Sequence, residues 1–166
     1  KYVIAYFRLI ASKKDNLAFE RIINIPKRGI GDTVVEGLKV ESAQHNKSIS
    51  EYIEEWKEEE SSIRKKAIYD LRIMISAIDE VRCHIAKNDE TYATLLKTFI
   101  TNSGYYKYLE SLDDDKIEER TKNVDALFED CLGYIKDNPN SLFDEYLQNI
   151  ALLSAQDDIA DANYIS

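Results

Sequence analysis

Two glycines two residues apart, preceded by two cations and followed by a hydroxyl, mark the one stretch whose residue types suit chemistry on a ligand: Ile25-Pro26-Lys27-Arg28-Gly29-Ile30-Gly31-Asp32-Thr33. Glycine accepts backbone angles that other residues resist and lets a second backbone come close. Pro26 ends one helix and Asp32 is placed to cap the next. A helix N-terminus presents unpaired N–H groups and a partial positive charge, which together suit a phosphate. Lys27 and Arg28 add mobile positive charge before it, Ile30 pins the turn against the flanking helices, and Thr33 adds a hydroxyl. Together these residues suit a sequence-independent grip on a DNA backbone, the helix-hairpin-helix style of contact. The plain alternative is a cap and turn joining two helices, with Lys27 and Arg28 merely solvated.

The elements that must hold this turn are helical. Tyr2, Ala5, Tyr6, Leu9 and Ile10 form an apolar stripe at helical spacing. Asp15 or Asn16 caps a short second helix that buries Leu17, Phe19, Ile22 and Ile23. The helix after the turn carries Val34, Val35 and Leu38, with Ala43 a weaker candidate. Ser48 or Ser50 starts a short acidic helix ending near Trp56. A long helix from about Ser61 to Asn88 aligns Ile68, Leu71, Met74, Ile75, Ile78, Val81 and Ile85, as a bundle helix does. Tyr92 to Ile100 is helical and ends at Ser103-Gly104, where glycine suits a left-handed C-cap. A brief turn or helix spans Tyr105 to Leu112. Lys116 to Lys136 turns Ile117, Val124, Leu127, Phe128, Cys131 and Ile135 inward, and Asn138-Pro139 breaks it. Ser141 caps a last helix with Phe143, Tyr146, Leu147, Ile150 and Leu153. The expected fold is all-α, a compact domain of about seven to nine helices over residues 1–155 followed by a polar tail, 156–166.

Particular runs carry a resemblance. Ile4-Ala5-Tyr6-Phe7-Arg8-Leu9-Ile10-Ala11, Asp15-Asn16-Leu17-Ala18-Phe19-Glu20-Arg21-Ile22-Ile23-Asn24 and Ile25-Pro26-Lys27-Arg28-Gly29-Ile30-Gly31 together resemble the opening of the subdomain called 2B in bacterial DNA helicases of the UvrD/PcrA/Rep type. The match is dense over the first 35 residues. Phe143-Asp144-Glu145-Tyr146-Leu147-Gln148-Asn149-Ile150 is similar to the last helix of that subdomain.

The resemblance implies an accessory module of a 3′-to-5′ helicase. ATP and Mg²⁺ would sit between motor domains of the same polypeptide, and no cofactor in this chain. The module would meet duplex DNA near the single-strand/double-strand junction through Gly29, Ile30 and Gly31, with Lys27 and Arg28 assisting. It also makes Lys1 and Arg8 duplex contacts; for Arg8 the rival reading is an ion pair with Glu20 or another local acid. Thr33 stands one place earlier than the family's usual threonine. Repair or replication proteins become expected partners, and the bacterial cytoplasm, around the nucleoid, the expected location. The parent would be an ATP-hydrolysing enzyme and this chain an inactive piece, its abrupt start at Lys1 and its end at Ser166 falling where such a subdomain would be trimmed. The alternative function is a protein–protein interaction module with little DNA contact.

Composition bounds these readings. With 166 residues, 44% apolar and 32% charged, the chain can bury one real core. No apolar run reaches bilayer-spanning length. The net charge of −9 opposes a polyanion overall, yet the first forty residues hold eight Lys/Arg against four Asp/Glu. A local field steers a ligand better than a total. Cys83 and Cys131 lie on apolar stripes without metal-ligand spacing and read as two buried thiols. No Gly-Lys-Ser/Thr loop for nucleotide phosphates occurs. Asp113-Asp114-Asp115 and Glu58-Glu59-Glu60 read as solvated acidic runs. Tyr105, Tyr106 and Tyr108 read as core and boundary packing.

Overall fold

A computed structural model of the chain describes residues 2–87, 90–112 and 115–152, and every regular element within them is helical. The order is α1 (Tyr2–Ala11), α2 (Asn16–Ile22), α3 (Asp32–Gln44), α4 (Ile49–Glu54), a 3₁₀ turn (Glu58–Glu60), α5 (Lys65–Lys87), α6 (Tyr92–Asn102), α7 (Tyr105–Ser111) and α8 (Ile117–Asp137). A further helix, α9, occupies residues 143–152. The all-α expectation is met. Lys1, Asn88, Asp113, Asp114 and the polar tail lie outside the described residues.

α1 is the hub. Its sequence, YVIAYFRLIA, carries one charge, so it has an apolar surface almost all round, which only a central position can bury. Val3, Ala5, Tyr6, Phe7, Leu9 and Ile10 are all buried. The Phe7 ring lies 6.0 Å from Phe128 of α8 and 6.1 Å from Phe143 of α9, and Tyr6 meets Phe99 of α6 edge-on at 5.7 Å. One contiguous core runs from Val3 to Ile150, enough for the chain to fold as a unit. The single stripe read from the sequence is therefore too narrow, and Tyr2, placed on it, is 37% exposed.

Three arginines join the helices by the same device. The last carbonyls of a helix lack intrahelical donors and carry partial negative charge, which suits a guanidinium. Arg82 of α5 donates to Leu9 O (2.9 Å) and Ile10 O (2.8 Å) at the end of α1. Arg72, also of α5, donates to Ile53 O (3.0 Å) and Trp56 O (3.1 Å) at the end of α4. Arg28 does this for α2.

Helix starts follow local chemistry, with corrections. Asp15 Oδ1 accepts the Ala18 N–H (3.0 Å) and caps α2, while Asn16 turns away to accept the Ile49 N–H (3.0 Å). Ser48 and Glu51 form a capping box on α4. Asp32 is the first residue of α3 and not its cap; the N-cap is Gly31, with no side-chain bond. Ser141 stands just before the start of α9, its hydroxyl 2.9 Å from that of Tyr92. Gly104 takes the left-handed conformation expected between α6 and α7 (φ +85°). Leu17 is 75% exposed, because Ala18, Phe19 and Ile22 define the buried face of α2 and Leu17 falls off it. Cys131 is buried but Cys83 is exposed, on the outer side of α5.

α3 packs through a buried carboxylate. Glu41 accepts from Tyr52 Oη (2.6 Å) on one oxygen and from Ser62 Oγ (3.1 Å) on the other. Burial pushes its pKa up, but hydrogen bonds from Ser61, Tyr52 and Ser62 outweigh that and hold it below the ordinary 4.5. A depressed carboxyl adds stability above its unfolded pKa and loses it as pH falls through the folded one. Urea midpoints measured from about pH 6 to pH 3 should fall less steeply in Glu41→Gln than in the parent.

Candidate nucleic-acid interface

Between α2 and α3 the chain makes the turn that the glycines announce, and its shape is fixed from inside. The Asn24 side chain is the template. Its Nδ2 donates to Ile30 O (2.7 Å), and its Oδ1 accepts from the N–H groups of Ile30 (3.0 Å) and Arg28 (3.4 Å). One amide thus pairs with both backbone groups of a residue six positions on, as a neighbouring strand would. Gly29 at the outer bend has φ +69°, a conformation costly for other residues. Ile30 is buried and anchors the bend, as its apolar side chain predicts.

Arg28 does not face solvent as mobile charge. Its Nη1 donates to Ile22 O (2.8 Å), Ile23 O (3.2 Å) and Pro26 O (3.2 Å), and its Nη2 donates to the Tyr6 hydroxyl (3.1 Å). That hydroxyl in turn donates to Ile25 O. Burial raises the Tyr6 pKa, with the Arg28 charge opposing, so the phenol stays neutral and keeps its proton for that bond. Arg28 therefore fastens the end of α2 to α1. Its charge is held inward and is not the mobile one expected from the sequence.

The outward side of the turn is different. Lys27, Gly29, Gly31, Asp32 and Thr33 are exposed. Gly31 has φ −83° and ψ 170°, open to any residue, and a Cβ built on it meets nothing within 4 Å. Neither backbone strain nor internal packing requires glycine there. Its effect is to leave the first N–H groups of the thirteen-residue α3 uncovered at a site where Ser, Thr or Asp would ordinarily cap them. Asp32, in the first turn, favours the helix dipole but repels an anion, so cations must offset it.

Two cations are placed to do so. Lys27 makes no ion pair among the described residues. Arg64, just before α5, reaches across 35 residues of sequence to donate from Nη2 to Gly29 O (3.0 Å) and is otherwise exposed. Arg64 and Asn24 are the residues that sequence reasoning missed. An Asn before a turn is a recognised local backbone binder, so that signal was present; nothing local signals Arg64.

The structure brings Lys27, Arg28, Gly29, Ile30, Gly31 and Thr33 together. Arg8 stays apart, exposed on α1, two residues from the turn-facing Tyr6 and hence on another face. It does not pair with Glu20, which Lys39 engages at 3.5 Å. Lys39 pairs with Glu20 and Glu36 of the same forty residues, and Lys13 lies 3.8 Å from Glu54, an acid beyond them. Lys1 lies outside the described residues. The described residues contain no group of three or more His, Cys, Asp or Glu that could hold a metal ion.

Comparison with known proteins identifies relatives over the whole fold. Residues 1–164 match the UvrD-like helicase C-terminal domain. The chain is 33% identical over 129 residues to DNA helicase II of Rickettsia typhi, covering 75% of this chain and 18% of that protein. It is 27% identical over 168 residues to the ATP-dependent DNA helicase srs2 of Schizosaccharomyces pombe, covering 93% of this chain and 19% of the relative. With the ATP-dependent DNA helicase PcrA of Bacillus subtilis it shares 24% over 160 residues, covering 96% of this chain and 21% of the relative. The chain therefore spans about a fifth of the length of these relatives. With a match along nearly its whole length, this chain belongs to the UvrD-like helicase C-terminal domain family.

Proposed function

We propose that the chain is the 2B subdomain of an ATP-dependent 3′-to-5′ DNA helicase and that it holds the duplex backbone near the fork through the Gly29-Ile30-Gly31 turn. The observation that carries this reading is the bare N-terminus of α3, left open by Gly31 and flanked by Lys27 and Arg64. A phosphate oxygen there would accept from main-chain N–H groups, and the flanking cations would offset Asp32. Thr33 adds a hydroxyl beside them; Arg8, on another face of α1, and Lys1 would be separate contacts to the duplex. Such a grip reads no bases, as befits a motor that must pass over any sequence.

ATP hydrolysis belongs to motor domains elsewhere in the polypeptide on this reading, with ATP and Mg²⁺ held there. The sequence offers no Gly-Lys-Ser/Thr loop, so no step of that chemistry is assigned to these residues. The contribution of this chain is orientation: a rigid helical body whose inward Arg28 and Asn24 keep the outward turn in shape.

The test is duplex binding against salt concentration, by fluorescence anisotropy, in the complete polypeptide and in this chain. Lys27→Ala should weaken binding about three- to tenfold and reduce the salt slope by about one ion. Gly31→Ala should leave the melting temperature unchanged, because its Cβ has free space, yet weaken duplex binding. If both variants bind as the parent does at low salt, the turn is a joint between helices and not a grip.

A further inference from the structure

α5 and α6 leave a groove between them that the duplex reading does not use. Two adjoining cavities of about 410 and 540 Å³ share Ala77, Phe99 and Asn102 and so form one continuous trough. It runs beside α5 from Asp70 to His84, fourteen residues, or about 21 Å at the helical rise. Its floor is apolar, built from Met74, Val81, Leu95 and Phe99. On its rim Ile73 and Ala77, four residues apart, face solvent, and Ile73 is 72% exposed. An exposed isoleucine alone needs no explanation, but a solvent-facing apolar stripe beside an open apolar trough does.

The charges say what fits. Asp70, Glu80 and Glu90 line the trough. The one arginine there, Arg28, is already bonded to three carbonyls and a hydroxyl. His84 lies 3.9 Å from Glu80. The trough thus combines an apolar floor with three carboxylates against one guanidinium, a net negative charge.

We infer that the α5–α6 groove is a docking site for a basic amphipathic helix of a partner protein, about four turns long. Apolar side chains at i, i+3, i+4 and i+7 would enter between Ile73 and Phe99, and Lys or Arg on the flanks would meet Asp70, Glu80 and Glu90. The site lies mainly on α5 and α6, meets the turn only through the inward Arg28, and does not depend on the duplex reading.

The experiment uses this chain and two labelled helical peptides with one leucine stripe, one flanked by lysines and the other by glutamates. The lysine peptide should bind with a Kd on the order of 10 μM, and the glutamate peptide at least about tenfold more weakly. Ile73→Glu, at an exposed position that leaves the fold intact, should abolish binding. Glu80→Lys should weaken it about tenfold or less, with duplex binding unchanged. No binding, equal binding of both peptides, or binding indifferent to Ile73→Glu would overturn the proposal. So would a concentration-dependent dimer that Ile73→Glu disrupts, since the groove would then belong to a second copy.

Discussion

Replacing Arg28 by alanine is expected to destabilise the chain by about 3 kcal/mol, although the residue sits in a turn. The guanidinium satisfies two carbonyls at the end of α2, one of Pro26 in the turn and the Tyr6 hydroxyl. Removing it leaves these acceptors with water alone, at a joint between the central helix and the turn. For a domain of this size the loss corresponds to a fall in melting temperature of about 6–12 °C. Arg28→Lys should recover only part of it, because one ammonium cannot span the acceptors that a planar fork reaches. Duplex binding measured well below the melting point separates the two roles of positive charge near this turn. Lys27→Ala should lower the salt slope, whereas Arg28→Ala should leave the slope unchanged, since an inward cation displaces no counterions from a phosphate. A lower slope in Arg28→Ala would show that its guanidinium swings outward on binding.

Asn24→Ala should have the next largest effect, about 2 kcal/mol, for a related reason. Its side chain is the partner of both the N–H and the carbonyl of buried Ile30. Without the amide, those groups are left unpaired or the bend opens to reach water. In either case Gly29 and Gly31 lose their relative placement, so duplex affinity should fall further than in Lys27→Ala. Asn24→Asp is the informative companion. It keeps the oxygen that accepts from Ile30 and Arg28 but lacks the donor to Ile30 O, so it should retain an intermediate stability in urea titrations. Equal stability of parent and Asn24→Ala would mean that Ile30 alone holds the bend.

These two residues also show what local pattern conveys and what it does not. Helix positions and most buried faces follow from apolar spacing, as in α5, where Ile68, Leu71, Met74, Ile75, Ile78 and Val81 are all inward. Spacing reports the presence of an apolar face but not how many sides find partners. Hence α1 reads as one stripe and proves to be surrounded, while Leu17 and Cys83 read as buried and are not. Gly29 and Ile30 have local reasons for their places, a positive φ and a buried side chain, whereas nothing in the fold requires glycine at 31. The inward hold on Arg28 was not legible because its partners, carbonyls from Ile22 to Pro26 and a phenol from α1, come together only in the folded chain. Arg64 was invisible for the same reason at longer range.

The central place of α1 has a consequence during synthesis. This nearly uncharged helix leaves the ribosome ahead of α8 and α9, whose Phe128 and Phe143 close over Phe7. Until more than a hundred further residues have emerged, it has no complete set of neighbours. A growing chain of this kind must shield its first helix by transient collapse or by a chaperone, and its folding waits on its last elements.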